Sequence, residues 1–386
     1  MNHPVERLLD TDLYKLTMMQ FVLHQFPDVH VKYKFKCRNE GIDLSVIKDR
    51  VQNEIHYLSK LSFKDTDLFY LRSLGFFRDD FIQFLRLFKL NSNYVKVTTD
   101  DTNLNIIVDG PWLHTILYEI YILKIVNQLY FEYNYPFIGN LKTQGKKRFK
   151  DKLEKVKGTK VKFADFGTRR AYSRSWHESL MKDLSFCPNC VGTSNVLYAM
   201  QYNMKPIGTM AHEVFQIMQA LTRLEDSQSY TLQKWADEYR GELGIALTDT
   251  LGISKFLYDF DLYFAKLFDG VRHDSGCPYE WVDKVIQHYY KLGIDPETKT
   301  AVFSDGLTFD DMIKIKEYVG YQMRVSFGIG TNLTNDLGPE PLNIVMKVIE
   351  ANGQPVAKLS DTPGKEMCED NNYITYLKKV VYDSSQ

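Results

Sequence analysis

The sequence predicts an α/β protein: an irregular α/β barrel carrying the functional residues, preceded by an α+β domain. Three observations lead there. From about Val161 onward, apolar stretches end abruptly in polar or glycine-rich turns and give way to helical spacing. The first third of the chain instead alternates in strand fashion between helical stretches. Near the C-terminus, Asn352-Gly353 joins two more alternating runs. The expected division is an N-terminal α+β domain at 1–135, the barrel at 136–345, and a C-terminal hairpin and tail at 346–386.

The barrel rests on recurrence. "VKFADFGTRR" runs into "AYSRSWHESLMKDL", "CVGTSN" into "VLYAMQYN", and "KPIGTMAHE" into "VFQIMQAL". "GIALTDTLG", "DGVRHDSG" and "TAVFSDGLT" each precede a further helical segment, and "MRVSFGIGTNL" closes the series. Strands alternating with helices at this spacing indicate βαβ units and a parallel sheet. An open doubly wound sheet would also gather ligands at its strand ends. Seven such ends in series favour closure. In the first domain, "VHVKYKFKCRN" alternates as a strand, and "NYVKVTTDDTNLNIIVDGPW" reads as a further pair. "PLNIVMKVIEANGQPVAKL" reads as a hairpin turning at Asn-Gly. It is expected to pack on either the barrel or the first domain.

Composition narrows the function classes. Apolar residues make up 44% and charged residues 25%, as in an ordinary soluble globular protein. Lys+Arg number 48 against 49 Asp+Glu, a net charge of -1, so no nucleic-acid partner is expected. "MNHPVERLLDTDLYK" carries charges early and has no apolar core of a secretory signal. The most apolar helix, "WLHTILYEIYILKIVNQLY", is interrupted by His114, Glu119 and Lys124, and no membrane span is expected. Five cysteines describe no disulfide framework, which fits a reducing cytoplasm. Cys187-Pro-Asn-Cys190 has neither the second ligand pair of a structural zinc site nor a thioredoxin-like setting, and reads as a loop with two thiols.

The residues that carry chemistry gather just after the apolar stretches: Arg169, Ser194, His212, Asp249, Arg272, Asp274, Asp305, Gly328 and Gly330. In an α/β barrel those ends form one face, where active sites sit. "FGIGTN", with Gly328, Gly330 and Thr331, resembles a phosphate-binding turn in which backbone N–H groups and a helix start meet an anion. Arg272 and Asp274 in "VRHDSG" are two residues apart and aim to one side. Arginine there suits phosphate, and aspartate a sugar hydroxyl or Mg²⁺, with a surface ion pair as the plain alternative. "FGTRR" offers two guanidiniums, and Asp305 in "FSDGL" is either a helix cap or a ligand contact. Together they suit a phosphorylated sugar. In "KPIGTMAHEVFQIMQAL", Thr209 is expected to cap a helix and place His212 in its first turn, with Asp249 or Glu213 as the group that orients the imidazole.

The segments "LLDTDLYKLTM", "DFGTRRAYS", "GTSN", "GTMAHE", "DFDLYFAKLFDGVRHDSG", "VFSDGL", "VSFGIGTNLTNDLG" and "NGQPVAKLSDTPGK" resemble, in order, those of bacterial nicotinate phosphoribosyltransferases. The resemblance spans nearly the whole chain. It implies that nicotinate and 5-phosphoribosyl pyrophosphate (PRPP) give nicotinate mononucleotide and pyrophosphate, with Mg²⁺ and ATP hydrolysis, in NAD biosynthesis or salvage. It implies that ATP phosphorylates His212, and that Tyr14 and Phe166 sandwich the pyridine ring. Tyr14 is expected to reach a neighbouring subunit's barrel, so a homodimer with its active site at the interface is expected. Arg169 and Arg272 correspond to phosphate or nicotinate contacts, Asp274 and Asp305 to ribose or magnesium-side contacts. At Ser194 the nicotinamide-using relatives carry an aspartate. A serine there is expected to donate to the nicotinate carboxylate. The alternatives are a nicotinamide phosphoribosyltransferase and a non-catalytic nucleotide-binding barrel. The family assigns no role to Cys187 or Cys190.

Overall fold

In the computed structural model, residues 3–137, 139–362, 366 and 368–383 are described. Two sheets organise them. The first contains β1 (His30–Cys37), β2 (Val95–Asp100) and β3 (Asn103–Pro111). The second is built from β4 (Phe163–Asp165), β5 (Cys190–Thr193), β6 (Ile245–Leu247), β7 (Gly270–His273), β8 (Thr300–Phe303) and β9 (Arg324–Ile329). The chain then returns to the first sheet with β10 (Ile344–Ala351) and β11 (Gln354–Pro355).

The first sheet is antiparallel, in the order β11-β10-β1-β3-β2. Alternation dictates it: Val31, Tyr33 and Phe35 are buried on β1 while the lysines between them are not. β10 and β11 turn at Asn352 (φ 46°) and Gly353 (φ 78°). Both angles are left-handed, as a two-residue type I′ hairpin requires. Under this sheet runs the helix Tyr118–Asn134, buried from Tyr118 through Leu129. A helix stretch apolar on every side belongs in a core, and the two charges within that buried stretch are paired there. Lys124 Nζ lies 2.5 Å from Asp10, and Glu119 lies 2.7 Å from the ammonium of Lys15. Among the described residues no helix is long and apolar enough to cross a membrane.

The second sheet is parallel, in the order β5-β4-β9-β8-β7-β6. This is chain order taken around a ring and cut between β5 and β6. Six of the seven predicted strand ends follow true strands. The exception is "KPIGTMAHE": Pro206 makes only a single bridge with Thr193. Proline has no N–H to give a ladder. The segment still touches both sheet edges, through Ile207 N–H to Thr193 O (2.9 Å) and the Thr209 hydroxyl to Ile245 O (2.8 Å). That second bond corrects the expectation for Thr209. Its hydroxyl closes onto β6, and the N-cap of the helix His212–Met218 is Ala211, without a side-chain cap. His212 is nonetheless the first helical residue.

Two terminal segments complete the strand-end face. The chain before the helix Leu13–Gln25 zips onto the end of β5: Leu13 N–H donates to Ser194 O (2.8 Å), and Val196 N–H to Thr11 O (2.9 Å). After β11 the chain leaves the first sheet for the second, where Leu359 N–H donates to Thr250 O (2.8 Å). The C-terminal part therefore packs on both domains. Pro363–Lys365 of the "NGQPVAKLSDTPGK" segment lie outside the described residues.

Candidate active site

A cavity of about 390 Å³ opens where the strand ends of the parallel sheet meet β10 and the chain that follows it. Six cations line it: Arg169 and Arg170 after β4, Arg272 on β7, Arg38 after β1, Lys347 on β10, and Lys358 on the returning chain. Among the described residues two carboxylates, Asp274 and Asp305, oppose them. A smaller compartment of about 50 Å³ adjoins, sharing Arg169, Arg272, Asp274 and Lys347 and adding Tyr14, Glu119, His212 and Glu213.

His212 is 6% exposed. Its Nε2 lies 2.7 Å from Asp249 Oδ1 and 3.7 Å from Asp274 Oδ2. Burial, and then the charge of Lys358, push its pKa down to about 4 against the opposing pull of Asp249. The imidazole is therefore neutral at pH 7. A neutral ring bonded this way donates its Nε2 proton to Asp249 and keeps a lone pair on Nδ1. Asp249 is saturated in turn by the Ser275 hydroxyl (2.6 Å) and Lys358 Nζ (2.6 Å), both at Oδ2. Of the two carboxylates expected as orienting groups, it is Asp249 that serves. Glu213 points elsewhere, to Lys15, Tyr33 Oη (2.8 Å) and Trp112 Nε1 (2.6 Å).

Arg272 and Asp274 do share one side of the strand end. Arg272 Nε donates to Ser304 Oγ (2.9 Å), and Ser304 donates to Asp274 Oδ1 (2.6 Å). Burial raises the Asp274 pKa, but Arg272, His212 and Lys358 outweigh it and hold the carboxyl below the usual range. His212, Asp249 and Asp274 bring ligand atoms within 4.8 Å of one another. The imidazole Nε2 and both Asp249 oxygens are already engaged, which leaves Asp274 Oδ2 as the oxygen donor for a cation. One or two carboxylates plus substrate phosphates is how a hydrated Mg²⁺ is commonly held, so Asp274, with Asp305 on the same cavity, fits that ion.

The cations divide into two kinds. Arg169 NH1 lies 3.2 Å from Glu119, and Lys358 is tied to Asp249. Arg38, Arg170 and Lys347 have no ion-pair partner among the described residues. Burial, then the neighbouring charges of Arg169 and Arg38, bring Arg170 down to about 10. Burial together with Lys358 and Arg169 brings Lys347 down to about 8, although Glu119 opposes them. Around Arg170 and Lys347, burial and like charge outweigh the opposing carboxylates, the arrangement of an anion site. Both guanidiniums of "FGTRR" line the cavity.

Other expected residues fall less uniformly. Phe166, Gly330, Thr331 and Asp305 line the main cavity, and Tyr14 lines the smaller compartment of its own chain. No neighbouring subunit is needed to bring Tyr14 beside Arg169 and His212. Gly328 lines neither compartment; a Cβ there would stand 2.2 Å from the Phe166 ring, so this glycine makes room for the aromatic. Ser194 is the main correction. It lies in neither compartment, and its hydroxyl donates to buried Asp12 Oδ1 at 2.6 Å. The one hydroxyl proton is spent there and is not free for a substrate carboxylate. The Cys187 and Cys190 thiols are free, and burial pushes Cys190 up to about 12, so it is an inert thiol at neutral pH.

Sequence reasoning passed over Arg38, Lys347, Lys358, Lys15 and Glu119. A signal existed for two of them: Lys15 and Glu119 are charges inside apolar helical runs, which a core admits only when paired. The lysines of β10 and the returning chain carry no such mark, because lysine on a hairpin is ordinarily solvated.

Comparison with known proteins agrees with this geometry. Residues 161–385 match the nicotinate phosphoribosyltransferase (NAPRTase) family, and residues 9–127 match that family's N-terminal domain. The chain is 50% identical to a nicotinate phosphoribosyltransferase of Acidovorax sp. (strain JS42), over 97% of this chain and 98% of the relative. It is 51% identical to one of Cupriavidus necator, with the same coverage. The crystal structure of nicotinate phosphoribosyltransferase from Vibrio cholerae superposes with a TM-score of 0.95 at 39% identity, covering 98% of this chain and 94% of that one. The structure from Porphyromonas gingivalis gives 0.92 at 31% identity, covering 98% and 100%. The chain belongs to the nicotinate phosphoribosyltransferase family.

Proposed function

We propose that the protein transfers a phosphoribosyl group from PRPP to nicotinate, coupled to ATP hydrolysis through His212, as a step of NAD biosynthesis. One observation carries the proposal: a cavity with six cations and two carboxylates adjoins a buried, neutral histidine through four shared residues. Surplus positive charge suits a phosphorylated sugar and an anionic pyridine better than a neutral amide.

In the transfer, the pyridine nitrogen gives its lone pair to the anomeric carbon while the bond from that carbon to pyrophosphate breaks. The leaving pyrophosphate takes the bonding pair. Positive charge grows on the sugar and negative charge on the departing oxygens. Arg38, Arg170 and Lys347, unpaired before ligand arrives, are placed to meet the latter. Mg²⁺ on Asp274 and Asp305 would neutralise part of the same phosphate charge. Phe166 in one compartment and Tyr14 in the next supply flat faces for a pyridine ring.

In the coupling step, His212 Nδ1 gives its lone pair to the γ-phosphorus of ATP and ADP departs. Hydrolysis of the phosphohistidine completes the cycle. Asp249 holds the imidazole by Nε2, and Lys358, bound to the same Asp249, brings a positive charge toward the incoming phosphoryl group. Assembly as a homodimer is part of the proposal.

The test is direct. Purified protein with PRPP, Mg²⁺ and either pyridine, with and without ATP, should form mononucleotide from nicotinate far faster than from nicotinamide, and faster with ATP. Equal use of both pyridines, or no product from either, would reject it.

A further inference from the structure

Between the two domains lies a buried chain of charges that the chemistry above does not use. Glu213 follows His212 on the same helix, and its carboxylate accepts from Lys15, Tyr33 and Trp112. Lys15, fully buried and next to Tyr14, pairs also with Glu119 at 2.7 Å. Glu119 uses its second oxygen on Arg169 at 3.2 Å. Each member is therefore bonded to, or adjacent in sequence to, a residue of the site: His212, Tyr14 or Arg169. The signs alternate along the chain, so every charge is compensated.

Arg169 stands where the two compartments meet, and its side chain is 35% exposed. A guanidinium presents five N–H donors in a rigid plane, so anchoring one edge decides where the others point. Glu119 is the anchor of that edge. We propose that Glu119 is a positioning residue. It aims Arg169 at the compartment junction and, through Lys15 and Glu213, keeps it in register with the helix that carries His212. Loss of the anchor leaves Arg169 charged but misaimed, and loosens the phosphoacceptor helix relative to the substrate cavity.

This inference rests on the proposed ATP-coupled reaction, and its test separates the two. Glu119→Gln leaves Lys15 paired with Glu213, so the fold is retained and a melting curve verifies it. In that variant the KM for nicotinate or PRPP should rise about tenfold, the usual weight of one charge-assisted contact. The ATP hydrolysed per mononucleotide formed should rise as well. Arg169→Lys removes the planar fork, so adding Glu119→Gln to it should change little further. If Glu119→Gln melts early, Glu119→Asp, too short to span both partners, supplies the same comparison. Additive effects of Glu119 and Arg169, or an unchanged ATP ratio with unchanged KM, would overturn the positioning role while the reaction stands. Wild-type protein that makes no mononucleotide would remove both.

Discussion

Two groups of charges lie within one site and differ in kind. Lys15, Glu119, Glu213, Asp249 and Lys358 are buried, each with an opposite partner at bonding distance. Arg38, Arg170 and Lys347 face a cavity with no ion-pair partner among the described residues. A folded chain tolerates buried charge when it is compensated; uncompensated charge persists where a ligand supplies the partner. On the proposed function, the paired group organises the site and the unpaired group binds. His212 belongs to neither, because burial and Lys358 keep it neutral, as the proposed acceptance of a phosphoryl group requires.

The sharpest way to break this division is at His212. His212→Asn keeps a hydrogen bond to Asp249 and should leave a folded enzyme that still forms some mononucleotide. Acid-labile labelling from the γ-phosphate of ATP should vanish entirely. Persistent labelling of that variant would show the acceptor to be elsewhere.

Arg272→Ala and Asp274→Ala come next. Their mutual contact runs through Ser304 and through a direct bond from Arg272 NH2 to Asp274 Oδ1 at 3.3 Å. Each should lower kcat/KM for PRPP by ~10²-fold or more, the scale for losing a charge that acts in the transition state. Melting temperatures should move little. Wild-type turnover in both variants would place the sugar phosphate site elsewhere.

Stability separates the two groups directly. Lys15→Met strands two buried carboxylates and should cost about 3–5 kcal/mol, read from denaturant melts. Arg170→Met should keep or raise stability, since it relieves repulsion from Arg169 and Arg38, while weakening PRPP binding. Equal loss of stability in the two would erase the distinction.

Ser194 tests the correction made above. Ser194→Asp sets a second carboxylate against Asp12, which burial already pushes toward its protonated form. The penalty should be several kcal/mol of stability, so nicotinate activity falls through the fold as much as through recognition. Ser194→Ala, which only removes one bond to Asp12, should cost about 1.5–3 kcal/mol and keep the preference for nicotinate. A Ser194→Ala enzyme that switches to nicotinamide would restore direct contact with the pyridine substituent.

A further check is on pH. His212 titrates near 6.5 when unfolded and about 4 when folded. Between those values the unfolded chain binds more protons, so stability falls as pH drops from 6.5 toward 4. Melting temperatures across that window should fall less steeply in His212→Asn than in wild type.

Much of this molecule was determined by the sequence alone. Apolar runs broken by polar turns specify the parallel strands, because period and breaker residues act locally. Asn352-Gly353 specifies its hairpin for the same reason, and a set of strand ends carries Arg169, Arg272, Asp274 and Asp305 to one face, with His212 beside them at a helix start. The tertiary structure decided what lies far apart along the chain. Whether Asp249 or Glu213 holds His212 depends on which of them Lys15, Tyr33 and Trp112 claim, from three other elements. Ser194 turned to Asp12 because the N-terminal segment zips onto the end of β5. Lys347 and Lys358 entered the site because β10 joins the first sheet and the chain beyond β11 leaves it for the second. A short polar side chain takes the nearest partner the fold presents, and only packing decides which one that is.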